Sequence, residues 1–248
     1  MLIKSGLAVV STSLLALSLT ACGTESATPA ADSSATGATG TTSTTSSNAE
    51  SGEAVEVAAP EARLAVTYDG GVLVRDAETG EVLLDEARDG FLRLSPAGDG
   101  RHVLVSGAGG FTALDTGAWT EAHGDHGHSW AGEPRLTEFT IPAEEPGHVV
   151  PHHGRTTVFD DGTGTLTAFD PADLADGEPA LDTWQLDEPH HGVAVQDGHG
   201  NIVHTVGDSE SRSGVRVITS AGNLLAESDE CPGVHGEAFA AEAAVFGC

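Results

Sequence analysis

From residue 60 onward, short runs of apolar and β-branched residues alternate with polar ones, and each run stops at a turn containing glycine. Leu64 to Tyr68, Val72 to Asp76 and Val82 to Leu84 are such runs, separated by Asp69-Gly70-Gly71 and Thr79-Gly80. A period of two sets one face of each run against a core, and glycine supplies the positive φ that tight turns between twisted strands require. The pattern predicts a meander of antiparallel strands.

The meander also repeats. Pro151-His152-His153-Gly154 opens a predicted strand into Val158 and Phe159, which turns at Asp161-Gly162 and returns through Leu166 to Phe169. Pro189-His190-His191-Gly192 opens another through Val193 to Val195, with a turn near Asp197-Gly198 and a return through Ile202 to Val206. A third start, Pro232-Gly233-Val234-His235-Gly236, leads to a run ending in Val245 and Phe246. Asp89-Gly90-Phe91 to Leu94, Asp99-Gly100 and His102 to Val105 form a fourth copy without the histidine start. The His-Gly starts lie 38 and 44 residues apart, the period of a four-stranded propeller blade. The expected fold is therefore all-β: a β-propeller of four-stranded antiparallel blades over 58–248, with about four blades present and the set incomplete. It is read as the N-terminal part of a larger propeller, or as an arc that closes by dimerisation.

What precedes this domain reads as an address and a tether. Residues 1–21 carry one cation, Lys4, then an apolar stretch and small residues, the layout of a secretory signal. Leu19-Thr20-Ala21-Cys22 resembles the lipobox of bacterial lipoproteins, which implies cleavage before Cys22, its lipidation and an extracytoplasmic, membrane-anchored protein. The Ser/Thr/Gly/Ala-rich stretch that completes 22–57 has too little to bury to offset its ordering entropy, and is expected to be a disordered tether. Composition then removes whole classes of function. Ten Lys plus Arg against 38 Asp plus Glu give a net charge of −28, which excludes nucleic acid as a partner. With Lys4 the only lysine, no Schiff-base or phosphate-loop lysine remains in the folded part.

The histidines carry the candidate chemistry. On a propeller, loops entering the innermost strands meet at one mouth of the channel, which would bring His153, His191 and His235 around one axis. Converging neutral imidazoles suit Zn²⁺ and suit the oxygen-seeking Ca²⁺ and Mg²⁺ poorly. Any one of these rings is equally well read as a structural residue bonding a neighbouring strand. The doublets 152–153 and 190–191 allow one ring to face the channel while the other caps the blade. A second candidate is His123-Gly124-Asp125-His126-Gly127-His128: three imidazoles and a carboxylate in a glycine-rich loop able to fold around a cation, with Asp125 as ligand or orienting group. Its alternative is a solvated polar loop. His102 and His204 read as strand residues and His199 as an exposed turn residue. His148, although able to reach the mouth, is left out of the expected ligand set. Cys231 and Cys248 form an even pair in an exported chain and read as a disulfide around His235, with a Cys231 thiolate ligand as the alternative. No carboxylate pair, nucleophile elbow or cofactor fingerprint accompanies the histidines, and Glu237 is the one candidate base, so the chain reads as a non-enzyme. Two competitors remain: a metal-free interaction scaffold and, behind it, a propeller metallohydrolase with water in an open position on a channel metal.

The His123-to-His128 motif, the Pro-His-His-Gly starts and Cys231-Pro-Gly-Val-His235-Gly-Glu237-Ala238 running to Cys248 resemble the AztD-type zinc metallochaperones. That resemblance implies an extracytoplasmic β-propeller that hands Zn²⁺ to the solute-binding protein of a zinc ABC importer. It covers roughly residues 60–248. Two features depart from the family: the small number of blades and the lipobox.

Overall fold

In a computed structural model the protein is described over residues 54–240 and 243–248. The expected signal peptide, the lipidated Cys22 and the tether up to residue 53 lie outside the described residues. The end of the expected tether does not: Val55–Val57 forms strand β1 and pairs with β9 (His126–Ala131), so the ordered domain begins before residue 58.

Four successive antiparallel sheets follow. The first holds β2 (Arg63–Tyr68), β3 (Gly71–Asp76) and β4 (Val82–Ala87). The second is β5 (Arg93–Pro96), β6 (His102–Gly107), β7 (Gly110–Asp115) and β10 (Arg135–Pro142). Its last connection carries an inserted hairpin, β8 (Ala118–His123) with β9, onto which β1 adds. The third is β11 (Pro146–His152), β12 (Arg155–Asp160), β13 (Thr165–Phe169) and β14 (Asp182–Gln185). The fourth is β15 (Ala194–Gln196), β16 (Ile202–Gly207), β17 (Arg212–Ile218) and β18 (Leu224–Ser228). A two-stranded hairpin, β19 (Glu237–Ala240) and β20 (Ala243–Phe246), completes the described chain. The first strands of the sheets adjoin one another in order, β2 to β5, β5 to β11 and β11 to β15, as innermost strands of propeller blades must.

The core sits between blades, because each strand's alternation gives its sheet two apolar faces. Val72 and Val74 of the first blade pack on Leu92, Val105 and Leu114 of the second. Leu104, Phe111 and Ile141 of the second meet Val158 and Phe169 of the third. Phe159 and Leu166 of the third meet Ala194 and Ile202 of the fourth. Val150, Val193 and Val195 are covered by Phe239, Ala244 and Phe246 of the last hairpin. Each fully buried Phe or Leu contributes about 1.5–3 kcal/mol, so every interface holds its neighbour in register.

Two buried histidines serve this scaffold. His190 is buried, its Nδ1 donating to the Glu188 carbonyl at 3.0 Å and its Nε2 lying 3.0 Å from Thr205 Oγ1. His102 is equally buried at the start of β6, with Nδ1 2.5 Å from Asp99 Oδ2. At the root of the inserted hairpin, buried Asp115 accepts from Arg101 Nε at 2.9 Å and Nη2 at 2.7 Å, and from the Gly117 amide at 2.9 Å. Burial pushes this carboxyl upward, but those hydrogen bonds and the Arg101 charge hold it below the usual carboxylate range. The same guanidinium lies 3.8 Å from the ring centroid of Trp119, which stacks on Trp130 across the hairpin. The insertion is thus fastened to its blade by charge and by stacking.

Candidate metal centres

Two groups of three histidines bring their ligand nitrogens within 4.8 Å of one another: His148, His191 and His235, and His123, His126 and His128.

The first group is assembled from the third blade, the fourth blade and the final hairpin. His148 is the third residue of innermost strand β11, His191 lies three residues before β15, and His235 two residues before β19. Ring centroids are 5.0–5.2 Å apart, and the Nε2 atoms of His191 and His235 face each other at 3.0 Å. His191 Nδ1 lies 2.5 Å from Asp161 Oδ2, while Asp161 Oδ1 accepts from the Gly192 amide at 3.3 Å. Arg93, on β5, donates to the carbonyls of Pro146 and Gly147 at 2.8 and 3.2 Å and so fixes the backbone leading into His148. Burial, and after it the neighbouring His191 and His235, push the His148 ring down to about 4, so it is a neutral imidazole at neutral pH. His148 is half-buried, whereas His191 and His235 are exposed, leaving one side of the cluster open to solvent. Glu237 stands nearby in sequence, its carboxyl pushed up by burial, but it is outside the converging ligand atoms.

Of the expected channel residues, the structure brings His191 and His235 together and sets His153 apart. Pro151-His152-His153-Gly154 does not open an innermost strand. It closes one: His152 pairs with Arg155, and His153 (φ 48°) and Gly154 (φ 72°) form the two-residue turn between β11 and β12. Positive φ at both positions is what a type I′ hairpin turn demands. His153 thus lies five residues beyond His148 along an extended chain, about 16 Å away at ~3.3 Å per residue. The third ring of the cluster is His148 instead.

The second group is a hairpin tip where a glycine-rich loop was expected. Gly124 and Asp125 form its two-residue turn, with Gly124 at φ 61° in the first position, where a II′ turn takes glycine. His123 pairs with His126, and Glu121 with His128. Residues paired across antiparallel strands share a face, as do residues two apart, so all three imidazoles emerge on one side, with centroids 5.0–5.5 Å apart. Asp125 does not join them: its side chain is fully exposed, 3.2 Å from His126 Nδ1. A second carboxylate, Glu56 of β1, also engages the face, 2.6 Å from His128 Nδ1.

The structure joins Cys231 to Cys248 as a disulfide, so the Cys231 sulfur is not a free thiolate beside His235.

No protein-family model matches the chain. It is 26% identical over 182 residues to the zinc chaperone AztD of Citrobacter koseri, covering 71% of this chain and 43% of that protein. The backbone superposes on a crystal structure of Citrobacter koseri AztD with a TM-score of 0.68 at 25% identity, covering 74% of this chain and 51% of the other. The apo form of the same protein gives 0.66 at 24% identity, with the same coverage. The chain spans about half the length of these relatives. It is AztD-like in sequence and in backbone, as its motifs implied, and the relative's role as a chaperone agrees with the non-enzymatic reading.

Proposed function

With the likeness to AztD as premise, we propose that this chain is a zinc-binding chaperone that takes up Zn²⁺ at His148, His191 and His235 and passes it to the solute-binding protein of a zinc ABC importer. The observation that carries this reading is the convergence of three imidazoles, from two blades and the final hairpin, on one solvent-open point. Zinc sites are commonly tetrahedral, so three nitrogen ligands leave one position for water or for an incoming ligand. An entering partner residue can take that position before a histidine leaves, the route a carrier needs for release without free metal. The hairpin imidazoles of His123, His126 and His128 form a second site that supports capture or handover. The chain works outside the cytoplasm, anchored to the membrane through lipid on Cys22.

Purified full chain, loaded with Zn²⁺ and freed of excess metal, is expected to retain zinc and to donate it to such a solute-binding protein faster than a chelator of matched affinity removes it. His126→Ala combined with His128→Ala is expected to retain the metal and slow the donation. A chain that emerges metal-free after loading would point to the scaffold reading in its place. Cys22→Ser is expected to move the protein from the membrane fraction to the soluble fraction, and wild-type levels in the membrane would refute the anchor.

A further inference from the structure

Most of the polar groups around the propeller site are explained by the fold, but Asp161 is not. It sits in the turn between β12 and β13, a position that a solvated polar residue would fill equally well. Its carboxylate is instead turned inward, 14% exposed, and placed against a residue of the next blade. One oxygen lies 2.5 Å from His191 Nδ1 and the other accepts from the amide of Gly192, so ring and backbone of the same segment are gripped together. Space has been cleared for this. A Cβ on Gly147, the residue before His148, would fall 2.2 Å from Asp161 Oδ1, so only glycine there admits the carboxylate.

We propose that Asp161 is a positioning residue for the metal centre: it holds His191 in the Nδ1–H tautomer, which leaves the Nε2 lone pair aimed at the point shared with His148 and His235. The physical basis is general. A ligating imidazole whose other nitrogen donates to a carboxylate is fixed in tautomer and orientation and gains basicity. Here the arrangement spans a blade boundary, since Asp161 belongs to the third blade and His191 to the entry of the fourth. The carboxylate fits there because Gly147, next to His148 on β11, carries no Cβ to displace it.

This inference rests on the zinc reading of the site, and the test separates the two. The full chain is titrated with Zn²⁺ in competition with a chelator for wild type, Asp161→Ala, Asp161→Asn and His191→Ala, and the His191 ring tautomer is read from its ¹⁵N chemical shifts. Asp161→Ala is expected to weaken zinc by about 10- to 100-fold, the usual cost of losing such a partner, and to shift the tautomer toward Nε2–H. Asp161→Asn keeps an acceptor oxygen at the same place without the charge, and is expected to fall between Asp161→Ala and wild type with Nδ1–H retained. Wild-type affinity in Asp161→Ala, beside a loss in His191→Ala, overturns the inference. So does a loss of affinity in Asp161→Ala with the tautomer unmoved, because Asp161 would then act only through the fold. Wild-type affinity in His191→Ala overturns the zinc reading itself.

Discussion

Alanine at both His191 and His235 is expected to abolish the tight zinc component of a chelator-competition titration, whereas His153→Ala leaves it unchanged. Losing an outer partner of a zinc ligand already costs about 10- to 100-fold in affinity, so removing two of three direct ligands should exceed that range. The remaining ring, His148, is half-buried on β11 and has no second imidazole to share a cation with. His153 is the informative control because it has the same chemistry and the same Pro-His-His-Gly context as His191, yet occupies a turn at the far end of β11. His126→Ala with His128→Ala should likewise leave the tight component, since those rings belong to a separate face of the inserted hairpin. Binding as tight in His191→Ala/His235→Ala as in wild type would move the primary site elsewhere and leave the propeller cluster as packing. Ligation requires neutral imidazole, and His148 meets that condition at neutral pH before any metal arrives.

Why His153 was expected at the centre and His148 was not shows how far the sequence can be read. Strand identity was legible: Leu64 to Tyr68, Val72 to Asp76 and Ile202 to Val206 all fall within β2, β3 and β16, because alternation and turn glycines act locally. Blade register was less so. Pro189-His190-His191-Gly192 precedes an innermost strand, while the identical tetrad at 151–154 ends one, and the tetrad itself carries no mark of the difference. The signal lay upstream, in Pro146-Gly147-His148-Val149-Val150, where an apolar run already begins after a glycine. A similar limit hid the order of the second site. His123-Gly124-Asp125-His126 suggested mobility by its glycines, but a two-residue turn with one positive φ is a hairpin, and the flanking Trp119 and Trp130 lock it by stacking. Glu56 and Asp161 were not singled out at all. Their parts depend on pairings 72 and 30 residues away, which only the folded chain displays.

The second large effect concerns the segment that delivers His235. Cys231 and Cys248 are 17 residues apart, and their bridge encloses His235, β19 and β20. Within it, the His235 amide donates to the Gly247 carbonyl at 3.0 Å, so the two ends of the loop are also tied by backbone. The segment is attached to the fourth blade by the Gly233 amide to the Arg212 carbonyl at 2.9 Å, Arg212 Nε to the Val234 carbonyl at 2.9 Å, the His191–His235 contact, and packing of Phe239, Ala244 and Phe246 on Val193 and Val195. A bridge closing a loop of this size stabilises by about 3 kcal/mol through the entropy it removes from the unfolded chain. Cys231→Ser with Cys248→Ser is therefore expected to lower the urea midpoint by about 1 to 3 M, for a dependence of about 1–3 kcal/mol per molar urea. Zinc affinity should fall with it, because His235 would have to be ordered by the metal where the bridge had ordered it beforehand. Cys231 is buried, so the serine pair also places hydroxyls where sulfur was, and reduction of the native bridge supplies the control without that change. If both the serine variant and the reduced wild type unfold at the oxidised midpoint and bind zinc as tightly, the bridge holds neither the hairpin nor His235, and packing on the fourth blade alone accounts for the position of the third ligand.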